Sequence, residues 1–505
     1  MISASGPVLI GVDIGTTNLK VVAIRPDGTT LSVVRRGMRI DHPGPGAAEF
    51  DLDQLETDLV SSLGETVERL ASAGHTAADI SAIGICSIGE SFVGLDAEGR
   101  RVTPCPTWFD RRTANLRSDW GLSAHDWYDR TGMVDDDIYT VHRLGYARRT
   151  GADWFGRPSR WAMVADYAMW CLTGRLVSNP SLAARSGLAD RRSGAWDAEL
   201  VRTTGLDPAV LPELRPQGEG RAPLTAAVAS LTGLAAGTPV VNAGHDHPCA
   251  GLACRMTDPG PVIDSTGTSE ALKTVVDRPL GYDEVGGGLY DCYPYVIPGR
   301  FILSGHIPAS GALLDWLERL LAGPDGGRPA VDRLWQAAAE APAGADGVRV
   351  LPYLRGTGAP WNRRGRRAEI LGLGEEASAG TLLRAAVEGL AAWLRLNLDR
   401  FAAITGDRPA ELILAGGGAR NAFVDAVKAA FIDRPLVMPM VDEAAGIGAA
   451  LVGGLAVGVF GDAAEAVRLG AIGTARIDVD PALAATYAPL VPELVGRLER
   501  AGDPS

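Results

Sequence analysis

Two segments of this chain share a pattern that can bind phosphate. Residues 13–20 read DIGTTNLK and residues 264–273 read DSTGTSEALK. Each segment directly follows an apolar run. Glycine allows the backbone to approach an anion closely, while successive N–H groups and hydroxyl side chains supply hydrogen-bond donors. Gly15 and Gly267 are 252 positions apart in a chain of 505 residues, so the pattern recurs at half the chain length. It predicts two phosphate-binding turns on opposite walls of a cleft; two unrelated hairpins are the alternative.

Two aspartates have positions suited to chemistry at such a cleft. Asp13 ends the first predicted strand, where a carboxylate can hold Mg²⁺ through water. Asp246 follows a second apolar strand in the sequence VVNAGHDHP, and a carboxylate at a strand end can accept a proton from a hydroxyl group. Its neighbours His245 and His247 leave two alternatives open, a pair of metal ligands or a turn that caps a helix.

A third segment could contact a nucleotide. Residues 414–421 read LAGGGARN and place three glycines between a predicted strand and a helix that begins near Ala422. Such a junction allows a planar ring or a phosphate to lie against bare backbone at a helix N-terminus, although an ordinary turn has the same pattern. No lysine of the chain follows a glycine, so the GxxxxGK[ST] phosphate loop is absent.

The elements that must position these residues are those of an α/β protein. Apolar runs at residues 80–88 and 412–415 predict buried strands. Apolar residues recur at helical spacing between Leu382 and Leu398, which predicts a long amphipathic helix, and residues 481–500 predict a helical tail. Because a single core rarely grows beyond ~250–300 residues, a chain of this length is expected to form at least two domains.

Composition and charge exclude several classes of protein. The 48 Lys plus Arg and 61 Asp plus Glu give a formal net charge of −13, which argues against nucleic-acid binding. Six cysteines without a CxxC pair, and a start without a basic segment before an apolar one, indicate reduced thiols and a cytoplasmic location. Residues 444–461 carry no charge but include six glycines, so we interpret them as a tightly packed buried helix rather than a membrane span.

Taken together, these motifs resemble the FGGY family of carbohydrate kinases, which belongs to the actin-like ATPase superfamily. The likeness extends over most of the chain. It rests on residues 13–20, 107–112 (TWFDRR), 172–174 (LTG), 244–246 (GHD), 267–269 (GTS), 351–356 (LPYLRG), 371–373 (LGL), 384–389 (RAAVEG), 416–421 (GGGARN) and 443–446 (EAAG), in this order.

The resemblance implies a fold, two cofactors and a set of site residues. The fold is α/β, with two similar actin-like (ribonuclease H-like) ATPase domains, residues 1–254 and 255–505, around a central cleft. ATP and Mg²⁺ are the implied cofactors, with Asp13 near the metal and Asp246 as the catalytic base. The implied phosphate-binding residues are Gly15, Thr16, Thr17, Lys20, Gly267, Thr268 and Ser269. The implied adenosine-binding residues are Gly416, Gly417, Gly418 and Asn421, and the implied substrate-binding residues are Glu90, Trp108, Asp110, Arg111 and His245.

The chain departs from two well-known branches of this family. The corresponding motif of glycerol kinases resembles Asn-Gln-Arg-Glu, whereas this chain has Ser87-Ile88-Gly89-Glu90. The arginine that would bind a small polyol is therefore missing from this segment. The Met-His pair of xylulose kinases in that neighbourhood is absent too. Residues 135–142 replace a stretch where many relatives carry lysine. The sequence therefore leaves the sugar or polyol open.

The predicted function is transfer of the ATP γ-phosphoryl group to a hydroxyl of a small sugar, such as a ketose, or of a polyol, with neither nucleic acid nor membrane as a partner. Two other functions stay open. The first is a non-catalytic or sugar-independent ATPase or scaffold of the same superfamily, and the second is a metal-dependent hydrolase that uses His245 and His247. The assembly state is also open, with a homodimer as one candidate.

Overall fold

The computed structural model describes residues 6–113, 121–216, 219–323, 327–363, 365–416, 421–468 and 470–502. The strands are β1 (Val8–Ile14), β2 (Asn18–Ile24), β3 (Thr30–Gly37), β4 (Ile40–Asp41), β5 (Glu49–Phe50), β6 (Ile80–Ser87), β7 (Phe92–Leu95), β8 (Arg160–Met163), β9 (Val177–Ser178), β10 (Ala189–Asp190), β11 (Ala195–Trp196), β12 (Glu213–Leu214), β13 (Ala222–Pro223), β14 (Pro239–His245), β15 (Val262–Thr266), β16 (Glu270–Val276), β17 (Asp291–Pro294), β18 (Phe301–Ile307), β19 (Arg349–Leu351), β20 (Glu369–Leu371), β21 (Leu412–Ala415), β22 (Leu436–Pro439) and β23 (Thr474–Ile477). The α-helices are α1 (Leu52–Ser72), α2 (Ala124–Thr131), α3 (Thr140–Arg149), α4 (Val164–Thr173), α5 (Pro180–Ala183), α6 (Ala198–Thr203), α7 (Ala226–Thr232), α8 (Asp246–Ala253), α9 (Gly311–Ala322), α10 (Arg328–Glu340), α11 (Ala379–Thr405), α12 (Ala422–Ile432), α13 (Ala444–Ala456), α14 (Ala463–Ala466), α15 (Pro481–Tyr487) and α16 (Leu490–Gly502).

Two large sheets, one in each half of the chain, share the order of six strands. The first sheet runs β3-β2-β1-β6-β14-β13, and the second runs β18-β16-β15-β21-β22-β23 with β17 added at the edge beside β18. In the first sheet β1, β2 and β3 pair antiparallel, whereas β6 and β14 add in parallel beside β1. In the second sheet β15, β16 and β18 pair antiparallel, whereas β21 and β22 add in parallel beside β15. The repeated sequence pattern therefore marks a duplicated sheet and not two unrelated hairpins.

The strand register brings the predicted site residues to one edge of the first sheet. All seven residues of β1 are buried, as expected for a strand covered on both faces. Parallel strands end at the same sheet edge, and here Ile14 of β1 and His245 of β14 both pair with Ser87 of β6. The turn after β1 and Asp246, which begins α8, consequently lie side by side.

The uncharged segment at residues 444–461 forms the buried helix α13, as its glycines predicted. It packs on β1, β6 and α8. A Cβ on Gly11 would overlap the carbonyl oxygen of Gly446, and a Cβ on Gly84 would overlap that of Ala449, so the strands and the helix need these glycines to approach so closely. Nowhere in the described ranges does a helix combine the length and apolar character that a membrane crossing requires.

Replacing Gly448 of α13 by Ala is expected to lower the free energy of unfolding by about 1–3 kcal/mol, because its Cβ would overlap the backbone oxygen of Cys249 in α8. Thermal and denaturant unfolding measure this change. Gly496→Ala in α16 is the matched control, since its Cβ would meet only the flexible end of Arg500 and the exchange improves helix propensity. Equal stability of the two variants would contradict the packing argument.

Two other predicted helices are also present. The amphipathic spacing between Leu382 and Leu398 lies within α11, and the tail is helical but divided into α15 and α16. Pro489 lies in the break between them, where a proline cannot continue the hydrogen-bonding pattern of α15. The predicted boundary between residues 254 and 255 follows directly after α8 and stays a prediction; α13, from the second half of the chain, packs on the first sheet.

Candidate functional site

The two Gly-Thr turns converge on one cleft, a cavity of about 490 Å³. Thr16 of the first turn lines one side, residues 265–269 line another, and Asp246 lies between them. The first turn is closed by a hydrogen bond of 3.0 Å from the Gly15 N–H to the carbonyl oxygen of Asn18. A ligand in this cleft can therefore contact both turns and the aspartate at once.

Trp108 forms part of the wall beside the first turn. Its Nε1 donates to Thr16 Oγ1 at 3.0 Å, and the ring lines the cleft with 41% of the residue exposed. Thr17 is exposed in the same turn. The structure therefore brings Trp108, one of the predicted substrate-binding residues, against a predicted phosphate-binding residue.

Asp13 and Lys20 face each other at the base of the first turn. Lys20 Nζ lies 3.5 Å from Asp13 Oδ2 and 2.9 Å from Glu443 Oε2, and Arg35 Nη2 lies 2.6 Å from the other oxygen of Glu443. Burial raises the pKa of Asp13, and the charge of Lys20 opposes that rise. Neither Asp13 nor Lys20 lines the cavity itself; Lys20 links Asp13 to Glu443 at the start of α13.

The second turn is fixed to the N-terminus of α9. The Gly267 N–H donates to the Ser269 carbonyl oxygen at 2.8 Å, and the Gly267 and Thr268 carbonyl oxygens accept from the N–H groups of Gly311 and Ala312, each at 3.0 Å. A Cβ on Gly311 would overlap the Gly267 oxygen, so α9 can approach the turn only with glycine there. The turn is thus rigid before a ligand binds.

Asp246 is held by its neighbours in an orientation that exposes it to the cleft. Its Oδ1 accepts from the His247 N–H at 2.6 Å and lies 3.1 Å from Nε2 of His245. The Tyr293 hydroxyl is 3.5 Å from the other ring nitrogen of His245, so the ring can donate to Asp246. Burial, followed by the charges of Asp13 and Glu90, raises the pKa of Asp246 to about 8. A carboxylate with a pKa in this range is a much stronger base than an ordinary one.

A cluster of ion pairs in the cleft joins three distant segments of the chain, at Glu90, Arg185 and Asp291. Arg185 lies 2.6 Å from Glu90 Oε1 and 3.1 Å from Asp291 Oδ2, and its guanidinium packs over the rings of Tyr139 and Tyr293. Glu90 has φ = 64°, in the left-handed region that non-glycine residues rarely adopt, which is typical of a functional position. Arg185 therefore places a basic group beside Glu90, whereas residues 87–90 carry none.

A second cavity, of about 460 Å³, lies on the other side of the second turn and shares Thr266 and Gly267 with the cleft. Leu314, Val331, Trp335 and Leu390 form the apolar part of its wall, which also carries Asp315, Glu318 and Arg328. Asn421 lines this cavity and caps α12 through its side chain, whereas Gly416 lines the cleft. Gly417 and Gly418 lie outside the described residues.

Two predicted substrate-binding residues are not brought to the cleft. The Asp110 carboxylate accepts from the Ala48 and Arg112 N–H groups, each at 3.0 Å, and from the Arg112 side chain at 2.7 Å. Arg111 is exposed on the surface beside Gly46. In this conformation Asp110 holds a loop together, and neither residue lines the cavity.

Sequence reasoning missed Arg185, Asp291, Lys273 and His306, all of which line the cleft. Arg185 and Asp291 lie in segments without a motif, so no local signal could have identified them. Lys273 had a signal, because it belongs to the repeated pattern, as does Lys20. His306 follows Gly305 in β18, the strand that pairs with β16.

The residues around Asp13 fit magnesium. Asp13 Oδ1 has a weak contact with the Cys86 thiol at 3.9 Å, and its Oδ2 is 3.5 Å from Lys20, so both oxygens are loosely held. A hard ion that keeps most of its waters needs few such oxygens. Across the described residues no three His, Cys, Asp or Glu side chains form a metal cluster, so His245 and His247 gain no third ligand.

Comparison with known proteins gives consistent matches over nearly the whole chain. Residues 8–253 match the N-terminal domain and residues 264–457 the C-terminal domain of the FGGY family of carbohydrate kinases. A glycerol kinase of Trichlorobacter lovleyi is 30% identical over 91% of this chain and 92% of its own length. A gluconokinase of Bacillus subtilis is 26% identical over 89% of this chain and 88% of its own.

Solved structures agree with the described fold. A gluconate kinase from Lactobacillus acidophilus superposes with a TM-score of 0.89 at 23% identity, covering 99% of both chains. A xylulose kinase from Rhodospirillum rubrum gives 0.87 at 27% identity over 98% of both chains. The predicted fold class, two similar α/β domains around a cleft, is confirmed.

Proposed function

Because this chain belongs to the FGGY family of carbohydrate kinases, we propose that its cleft aligns ATP with a sugar or polyol so that Asp246 removes the proton of the acceptor hydroxyl. The family makes the protein an ATP-dependent kinase with an alcohol group as acceptor. The observation that carries the assignment of residues is that Thr16, Thr268 and Asp246 line one cavity. An ATPase or scaffold without an acceptor would not need the polar cluster of Glu90 and Arg185 at its far end.

Two cavities that meet at the second turn support a position for the nucleotide. The 460 Å³ cavity offers an apolar surface at Leu314, Trp335 and Leu390 for a purine ring, and it shares Thr266 and Gly267 with the cleft. Adenosine bound there, beside Asn421, directs its phosphates toward the turn of Gly267 and Thr268. The first turn, at Thr16, then contacts the terminal phosphate from the opposite side.

The transfer step needs a base, an aligned acceptor and neutralised charge. The acceptor oxygen forms a bond to the γ-phosphorus while the bond from that phosphorus to the β,γ-bridging oxygen breaks, ADP leaves, and the hydroxyl proton passes to Asp246. Asp13 would hold Mg²⁺ through water, and the ion supplies neutralisation of the phosphate charge when bound. His245, kept neutral because burial and Arg185 lower its pKa, orients the Asp246 carboxylate. Positioning and charge neutralisation supply most of the rate enhancement in reactions of this kind.

The proposed function is tested by coupled ADP release with a panel of ketoses, polyols and sugar acids. Turnover stimulated by an acceptor, with a phosphate ester detected by ³¹P NMR, is the expected result. ATP hydrolysis that no acceptor changes would favour the scaffold or ATPase function instead. Zinc-dependent hydrolysis without ATP would favour the function that uses His245 and His247.

The reaction rate is expected to rise with pH up to about 8. Asp246 accepts a proton only when it is ionised, and burial raises its pKa to about 8, so kcat/KM increases roughly tenfold per pH unit between pH 6 and 7.5 and then levels off. Lys273, whose pKa burial lowers to about 8, titrates in the same range. Lys273→Met should therefore keep the rise, and Asp246→Asn should lose it. A flat profile in the wild-type enzyme would contradict the assignment of the base.

A further inference from the structure

Lys273 is a buried cation in the cleft that lacks a hydrogen-bonding partner. It lies in the middle of β16, only 3% of the residue is exposed, and its ammonium group makes no hydrogen bond to any described residue. It lines the 490 Å³ cleft together with Asp246 and Arg185. Burying an unpaired ammonium group is costly, so a site that keeps one is built for a ligand that pairs with it.

The other buried cation of the cleft is already paired. Arg185 is 2.6 Å from Glu90 and 3.1 Å from Asp291, so its charge is balanced within the protein. His306 adds no charge near neutral pH, since desolvation within the cleft, followed by the charges of Lys273 and Arg185, lowers its pKa to about 4. Among the described residues that line the cleft, Lys273 is thus the cation whose charge is available to a ligand.

The position of Lys273 favours the acceptor over the nucleotide. The phosphates are expected at Gly267 and Thr268, before β16 begins at Glu270. At a rise of ~3.3 Å per residue, Lys273 lies about 10 Å further along the strand than Glu270. It pairs across the sheet with Ser304 of β18, which also lines the cleft. An anionic group bound by Lys273 is therefore on the acceptor rather than on the nucleotide.

We propose that Lys273 binds the carboxylate of the acceptor, which is therefore a sugar acid of the aldonate class. The inference rests on the proposed kinase function. A carboxylate at one end of a polyhydroxylated chain pairs with the buried ammonium group, its hydroxyl groups contact Glu90, Arg185 and Asp291, and a distal hydroxyl reaches Asp246. A phosphate carried by the acceptor would offer the same charge, and the experiment separates the two.

The test measures coupled ADP release with matched acceptors. D-Gluconate is compared with D-glucitol, which has the same carbon number and no charge, with a neutral ketohexose, and with glucose 6-phosphate. We expect kcat/KM for the sugar acid to exceed that for the neutral compounds by about 10- to 100-fold, the range of a charge-assisted hydrogen bond. Other aldonates of four to six carbons extend the same comparison.

Lys273→Met is expected to raise KM for the sugar acid by about 10- to 100-fold and to change kcat less, because a contact to a group that does not react is made in both the ground and transition states. KM for ATP should stay within threefold of wild type. Lys273→Arg should recover part of the affinity. Arg476→Met, which removes an exposed positive charge from β23, is the matched control and should change neither constant.

Folding of the variant is checked without ligand. Lys273→Met should melt at the same temperature as wild type or a few degrees higher, because it removes an unpaired buried charge. Sodium gluconate should then raise the melting temperature of the wild type but not that of Lys273→Met.

Each outcome bears on the inference separately from the kinase function. A neutral ketose or polyol used at least as efficiently as every aldonate would overturn the inference and leave the kinase function intact. Preference for glucose 6-phosphate over gluconate would show that the ammonium group serves a phosphate, which also overturns it. ADP release stimulated by no acceptor would contradict the kinase function, and the inference with it.

Discussion

Asp246→Asn is expected to lower kcat by a factor of about 10²–10⁴, the usual contribution of a general base. Asparagine has the same shape and can still accept from the His247 N–H, so the local structure is kept. It cannot take the proton of the acceptor hydroxyl, however. Because ATP and the acceptor are still aligned by the two turns, KM for each should change less than about threefold. Single-turnover phosphorylation measures the chemical step directly, with reactions quenched at times from milliseconds to minutes.

The loss of rate in this variant is separable from a loss of folding. Burial raises the pKa of Asp246 from 3.8 to about 8, so ionising it costs stability, and that cost grows as the pH rises from 4 toward 8. Asp246→Asn should thus be at least as stable as wild type at pH 7, and the difference should disappear near pH 4. Asp478→Asn, at an exposed ion pair with Arg476, is the control for the exchange itself and should leave the rate unchanged. Single-turnover rates within threefold of wild type would rule out Asp246 as the base.

The sequence was informative wherever a local pattern determined local structure. Both strand-turn-strand units, the strand that ends before Asp246 and the helix that begins at Ala422 could be predicted, because apolar runs and glycines specify them without reference to distant residues. Convergence of the two turns on one cleft could also be predicted, since it follows from a duplicated pattern at half the chain length. The backbone hydrogen bonds that fix the second turn to α9 could not be predicted, because nothing in residues 267–269 indicates a contact with residues 311 and 312.

The two lysines of the repeated pattern show why the rest was out of reach. In the first sheet Lys20 pairs directly with Asp13, so both side chains lie on the same face. In the second sheet Asp264 pairs with Leu272, and Lys273 is one residue further on. A shift of one residue turns a side chain to the opposite face of a strand, so Lys273 faces the cleft while Asp264 faces α12. Two similar sequence segments therefore contain a paired lysine, Lys20, and an unpaired lysine, Lys273.

Lys428 of α12, and not Lys273 of the repeated pattern, is the lysine that pairs with Asp264. Its Nζ lies 2.8 Å from Asp264, 3.0 Å from Glu270 and 3.3 Å from the Thr266 hydroxyl, and all of these side chains are buried. The Ser310 hydroxyl donates to the second oxygen of Glu270 at 2.7 Å, next to the start of α9. One ammonium group thus holds two carboxylates beneath the second turn, and burial and Glu270 raise the pKa of Asp264 to about 7.

Lys428→Met is expected to lower the free energy of unfolding at pH 7.5 by about 3–5 kcal/mol, because it leaves two buried carboxylates without their cation. The loss should shrink toward pH 5, since Asp264, whose pKa burial raises to about 7, then becomes protonated and its charge repulsion with Glu270 disappears. Adding Asp264→Asn to Lys428→Met removes one of the two charges and should recover part of the loss, which a double-mutant cycle in denaturant unfolding measures. ATP affinity should fall as well, because Thr266 and Glu270 flank the turn that we propose to bind the phosphates. If the single variant unfolded within 1 kcal/mol of wild type at pH 7.5, the buried network could not be what fixes that turn.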